Sequence, residues 1–286
     1  MGAGENAQGN DNLTVEQAIA NIQGDDLGLR VYAAWWLGRF RVDEPLAVDV
    51  LIDALTDEDD RTEAGGYPLR RNAARALGKL GDRRAVMPLI TCLSCPDFYV
   101  REAAAQSLEA LKDPLCVPTL IELLNGNIEG TLPAPELMDL REPYDSILEA
   151  LGTLGATEAI ELIKPFLDHD VDRVQYAAAR AMYQLSDNSK QAAQYGKRLV
   201  EALDGDELQL RRAALADLGA IGYLGAADAI AETLAENSLK LIALKGILEQ
   251  QIAEQQVSEK QKNADVFVGS LTDGAIHVME LMDGLL

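Results

Sequence analysis

A block of about 31 residues recurs along this chain, and no other feature narrows its possible folds so far. The clearest copy begins LRRNAARALGKLGD at 69–82 and continues RRAVMPLI to about Leu93. Apolar residues at 69, 73, 76, 77 and 80 have the spacing of one helix face. Gly81 and Asp82 then end that helix, since glycine accepts the left-handed backbone of a helix end and aspartate caps the next helix. The stretch from 85 to 93 is helical again, so the unit is a helix pair. Further copies of its first helix lie at 29–40 (LRVYAAWWLGRF), 100–111 (VREAAAQSLEAL), 143–154, 174–185 (VQYAAARAMYQL) and 210–221 (LRRAALADLGAI). A degenerate one follows from 239 to about 251. The residues closing these first helices are Phe40, Leu80, Leu111, Leu154, Leu185 and Ile221, separated by 40, 31, 43, 31 and 36 positions.

A helix pair this short cannot bury its apolar face alone, whereas several stacked pairs share one continuous core. Hydrophobic residues make up 48% of the 286 and aromatics only 5%, so that core is aliphatic and rich in alanine. The expected fold is all-α, an α-solenoid (superhelix) of about six helix-pair repeats over 13–251. A disordered N-terminus, 1–12, precedes it. After it, 252–286 reads as a polar linker and a C-terminal segment that caps the array or binds a partner. The separations of 40 and 43 mark two insertions, at 56–68 (TDEDDRTEAGGYP) and 125–143 (NGNIEGTLPAPELMDLREP), both between repeats. Long loops in a compact array often carry function. In the first insertion Asp59, Arg61, Glu63 and Tyr67 are candidates to contact a partner or substrate.

With 25 basic and 47 acidic residues the formal charge is −22, which repels phosphate backbones and argues against nucleic-acid binding. No apolar run approaches the ~20 residues of a membrane span, and 1–12 lacks the basic start and apolar centre of a signal peptide. Three cysteines make no disulfide framework, so the expected location is a reducing, cytoplasmic compartment. Cys92 and Cys95 have CxxC spacing but too few companions for a zinc site, and read as packing residues. No metal, phosphate-loop or nucleophile–base motif stands out, and no catalytic residue can be assigned.

Binding residues are sought on the side of the first helices turned away from the core. Positions 72, 75 and 79 share one helix face, giving Asn72, Arg75 and Lys79 in the second repeat, Tyr32, Trp35 and Arg39 in the first, and Ala177, Arg180 and Gln184 in the fifth, with Tyr176 beside them. The expected ligand-binding set is therefore Tyr32, Trp35, Arg39, Asn72, Arg75, Tyr176 and Arg180. Arginine suits an anion because it grips a carboxylate in a fork. An exposed tryptophan suits a contact. Trp36 falls on a core position. Arg30, Arg70, Arg101 and Arg211 recur at one register and are expected to pair with turn carboxylates such as Asp82 or Asp113.

The repeat resembles HEAT-like arrays, in which this face commonly lines the concave surface. More specifically, LRVYAAWWLGRFRV at 29–42 and DEDDRTEAGGYPLRRNAARALGKLGD at 57–82 resemble the E-type subunits of phycocyanobilin lyases, and segments 97–111, 173–185 and 210–224 continue the likeness. The resemblance implies a heterodimer with a related F-type subunit. That pair attaches phycocyanobilin, a substrate rather than a cofactor, through a thioether to a cysteine of the phycocyanin α subunit, in cyanobacterial cytoplasm or plastid stroma. The alternatives are a lyase or isomerase subunit for phycoerythrocyanin or phycoerythrin α, and a non-catalytic HEAT adaptor or pigment-binding scaffold.

Overall fold

A computed structural model describes residues 13–126, 141–261 and 272–286. Among these, regular structure is helical throughout, with no strand: α1 (Val15–Ile22), α2 (Leu27–Arg39), α3 (Pro45–Ala54), α4 (Pro68–Leu80), α5 (Val86–Cys92), α6 (Phe98–Leu111), α7 (Val117–Leu124), α8 (Tyr144–Thr153), α9 (Ile160–Ile163), α10 (Asp172–Gln184), α11 (Ser189–Glu201), α12 (Leu208–Ile221), α13 (Ala227–Glu232), α14 (Asn237–Gln261) and α15 (Asp273–Leu285). The chain forms two compact units, whose division falls within α7. One comprises the described residues 13–119 with 141–142; the other comprises 120–126, 143–261 and 272–286. Each is a stack of helix pairs, as the 31-residue period predicts.

In the first unit α2, α4 and α6 pack in succession, with α1, α3 and α5 behind them. Their contact is alanine-rich: Ala33, Ala34, Ala73, Ala74, Ala103 and Ala104 are fully buried. Small side chains let the axes approach closely, and Gly38 marks the tightest crossing of α2 and α4. A Cβ there would lie 2.7 Å from the Cα of Ala76. Leu37, Leu51, Leu69, Leu77 and Leu89 fill the remaining space at full burial, each contributing roughly 1.5–3 kcal/mol. The helix ends obey the sequence: Gly81 has φ 76°, and Asp82 accepts a hydrogen bond from the Arg84 amide at 2.8 Å.

The recurrent arginines are structural, but their expected partners are not the ones they take. Asp113 pairs with Arg83 at 2.6 Å and Asp82 with Arg84 at 2.9 Å. Arg30 instead binds Asp57, and Arg70 binds Glu58, both from the first insertion. Arg101 binds Glu142 at 2.8 Å, at the end of the second. Arg211 donates to the Gly205 carbonyl at 2.6 Å. The arginine near the start of a first helix thus faces the chain that enters or leaves its repeat. Turn residues at the opposite end of the helix are out of reach.

In the second unit α8, α10, α12 and α14 succeed one another. Gly246 on α14 lies so close to α12 that a Cβ would fall 2.5 Å from the Gly219 carbonyl oxygen. The expected linker from 252 is, up to Gln261, a continuation of α14. α15 packs on α13 and α14, burying Val278 and partly burying Leu281, Met282 and Leu285 against the core that includes Leu218, Ile230 and Ile247. His277 meets Asp228 at 2.8 Å. The C-terminal segment therefore covers apolar surface of the last repeats. The N-terminal 1–12 and most of the second insertion, 127–140, lie outside the described residues.

Candidate functional site

Two helices of the first unit, α2 and α4, carry most of the expected binding residues. Tyr32 and Trp35, one helical turn apart, are half exposed, with ring centroids 5.5 Å apart. Exposed aromatics set side by side make an apolar patch, the kind of surface that marks contact sites. Trp36, expected in the core, is only partly buried and packs on Phe40 at 4.8 Å. Its side chain is longer than the alanine of the reference repeat and reaches past the core edge. Arg39 is exposed on the same helix.

On α4 the Asn72 amide donates to the Val31 carbonyl at 3.1 Å, so it ties α4 to α2. Arg75 is exposed and meets Glu102 of α6 at 3.1 Å. Beyond it, a cleft of ≈620 Å³ is lined by Arg41, Arg75, Lys79, Gln106 and Ser107, among others. Arg41 was not legible as a site residue because it follows the end of α2. The available signal was weak: the position after the closing residue is glycine at 81, 155 and 222, but arginine at 41, lysine at 112 and serine at 186.

The other two expected binding residues lie in the second unit and are occupied differently. Arg180 is buried, with Nη1 at 2.9 Å from Glu149 and 3.3 Å from Asp217. Arg173 binds the same two carboxylates. This corrects the expectation of an exposed anion-binding arginine. Glu149 and Arg180 hold the same register in consecutive repeats, so stacking sets opposite charges side by side, and the pair serves the fold. Tyr176 is partly buried and packs on the second unit's core; burial raises the pKa of its hydroxyl.

The first insertion is pinned rather than free. Tyr67 is 5% exposed, donates from its hydroxyl to Glu58 at 2.9 Å, and lies 4.0 Å beneath the Arg70 guanidinium. Hydrogen bonds from Arg70 and Tyr67 hold the Glu58 carboxyl below its ordinary range. Tyr67 is therefore an anchor of the loop, not a surface contact. Asp59, Arg61 and Glu63 do stand exposed on it.

The cysteines pack. Burial pushes the Cys92 thiol up to about 12 and Cys116 up to about 11, and raises Cys95. Among the described residues no cluster of His, Cys, Asp and Glu is placed to hold a metal ion, and no helix is long and apolar enough to cross a membrane.

Stacked helix pairs with an aromatic and cationic outer face define a HEAT-repeat binding protein. The family models agree: HEAT repeats match residues 63–129, and the PBS lyase HEAT-like repeat matches 29–57 and 144–169. A phycocyanobilin lyase subunit alpha of Microchaete diplosiphon is 66% identical over 98% of this chain and 92% of its own length. The Nostoc sp. PCC 7120 protein of that name is 60% identical over 98% and 96%. A chain in the structure of the complex of CpcE and CpcF of phycocyanin lyase from Nostoc sp. PCC7120 superposes with a TM-score of 0.83, at 57% identity, covering both chains completely. The chain belongs to the phycocyanobilin lyase alpha-subunit family.

Proposed function

We propose that this chain is the E-type subunit of a heterodimeric bilin lyase. With an F-type subunit it attaches phycocyanobilin through a thioether to a cysteine of the apo-phycocyanin α subunit, in the cytoplasm of a cyanobacterium or a plastid stroma. The end-to-end likeness to phycocyanobilin lyase alpha subunits carries this reading. The acceptor thiol adds across an exocyclic double bond of the bilin. A C–S bond forms, the proton passes to the neighbouring carbon, and no oxidant or leaving group is needed. Phycocyanobilin enters as substrate, and the reaction calls for no resident cofactor. The nucleophile is the acceptor's thiolate. This chain's own thiols are held protonated by burial, which keeps them from competing for the bilin.

The task left to the lyase is to hold two reactants in register and exclude water from them. Tyr32 and Trp35 offer a flat aromatic surface for conjugated pyrroles, and Arg39 and Arg75 offer positive charge to the propionates, with Asn72 between the two helices. Asp59, Arg61 and Glu63 extend from the pinned insertion toward partner or acceptor protein. An open face of this kind covers one side of a tetrapyrrole, and the second subunit supplies the other.

Coexpression of this chain with its F-type partner, apo-phycocyanin α and phycocyanobilin tests the reading. A covalently coloured α subunit should form, at least about tenfold faster than with either chain alone, and the two chains should coelute on size exclusion. Full activity from the isolated chain, or no complex at micromolar concentration, would refute the heterodimer and favour a HEAT adaptor.

A further inference from the structure

The cleft between α4 and α6 differs in its charge from three other pockets formed by the described residues. Its lining contains Arg41, Arg75 and Lys79 and no carboxylate, in a chain with 47 acidic residues. A larger pocket in the same unit sets Arg70 beside Glu58 and Asp53. The pocket on α12 and α14 contains Arg212 and Lys245, which are matched by Glu236 and Glu249. In the α4–α6 cleft Arg75 is shared with Glu102, but among the described residues neither Arg41 nor Lys79 lies within ion-pair distance of a carboxylate.

Arg41 also occupies a costly backbone position. Its φ is 48°, at the register where Gly81, Gly155 and Gly222 have φ of 76°, 69° and 65° and Lys112 has 52°. A residue with a Cβ is disfavoured there; Lys112 accepts the same cost at a plain helix end, so what sets Arg41 apart is where its side chain goes. The guanidinium reaches across to α4, where Nη1 donates to the Lys79 carbonyl at 3.1 Å. That contact fixes the group at the cleft while using a single N–H. The same α4 face continues through Arg75 toward the Tyr32–Trp35 pair on α2. A ligand with a flat conjugated body and a carboxylate on a short arm matches that order of groups.

We propose that this cleft binds a carboxylate of the tetrapyrrole, with Arg41 and Lys79 as its anion-binding residues. The inference rests on the bilin reading above and adds to it a site and two residues. Cation at a helix C-terminus is the competing role for Arg41, since the guanidinium also meets the end of α4.

The test uses the complex of this chain with its partner subunit, titrated with phycocyanobilin and with its dimethyl ester, followed by bilin absorbance. Wild type should bind the free acid at least about tenfold more tightly than the ester, as a charge-assisted pair requires. Arg41→Gln and Lys79→Gln should lose that preference, and Lys190→Gln on α11, outside the cleft, should keep it. Arg41→Gly should lose the preference while its melting temperature holds or rises, because glycine relaxes the left-handed backbone. Equal binding of acid and ester by wild type would overturn the proposal, as would a preference that survives in Arg41→Gly combined with Lys79→Gln. A fall in melting temperature in both Arg41 variants would assign Arg41 to capping α4 and overturn its binding role. Failure of the wild-type pair to add bilin at all would instead sink the lyase reading, and this inference with it.

Discussion

Arg101 should be the side chain on which the first unit depends most. It is fully buried, and so is Glu142, its partner at 2.8 Å. The rest of the guanidinium donates to the carbonyls of Cys95, Pro96 and Arg141, each at 2.8 Å. Truncation to alanine strands a buried carboxylate, and breaking a buried pair from one side costs about 3–5 kcal/mol. Three carbonyls lose a donor at the same time, at about 1–3 kcal/mol each where water cannot replace it, which favours the upper end of that range. Against a typical total of about 5–15 kcal/mol, Arg101→Ala should lower the melting temperature by roughly 10 °C or more. Thermal and urea melts followed at 222 nm give the number. Replacing both partners, Arg101→Met with Glu142→Leu, should recover the share of the loss due to the stranded carboxylate, while the three carbonyls stay without their donor. A single variant within about 1 kcal/mol of wild type would refute the argument. So would a double variant as unstable as the single, which would make the carbonyl contacts and the packing of the arginine stem, not charge pairing, the source of its weight.

Two further predictions concern the tryptophans and the thiols. Trp36→Ala should cost about 2 kcal/mol, less than the 3–5 of a fully buried tryptophan, while Trp35→Ala should melt nearly as wild type and weaken bilin binding; the reverse order of stabilities would mean the two faces of α2 are misassigned. Cys92 and Cys116, with thiols pushed up to about 12 and 11 by burial, should react with a thiol reagent at pH 8 far more slowly in the folded protein than in urea. Rapid labelling of either in the native state would contradict their burial.

The repeat period, the places where helices end and the two insertions were legible because they depend on short-range rules. A 3.6-residue apolar spacing, a Gly–Asp break and a change of interval are properties of neighbours in sequence. The exposed pair Tyr32 and Trp35 was legible for the same reason, since each side chain's face follows from its place in its own helix. Whether an exposed-looking charge is free is another matter. Arg180 and Arg75 share a register and look alike in sequence, yet one is buried between Glu149 and Asp217 and the other stands at the surface beside Glu102.

Tyr67 makes the same point within a loop. Its polar, glycine-containing surroundings read as surface, and only the approach of Arg70 and Asp97 from the following repeats turns it inward. Arg41 lies on no helix face that periodicity can assign, and becomes a lining residue because its left-handed backbone turns it toward α4. The sequence alone determined an all-α stack of helix pairs and the family to which it belongs, since both are written in local spacing and residue identity. Tertiary structure alone decided which arginines are matched by a carboxylate and which are not. A charge's partner is set by distance in space, and stacking brings together carboxylates and guanidiniums that lie tens of residues apart in the chain.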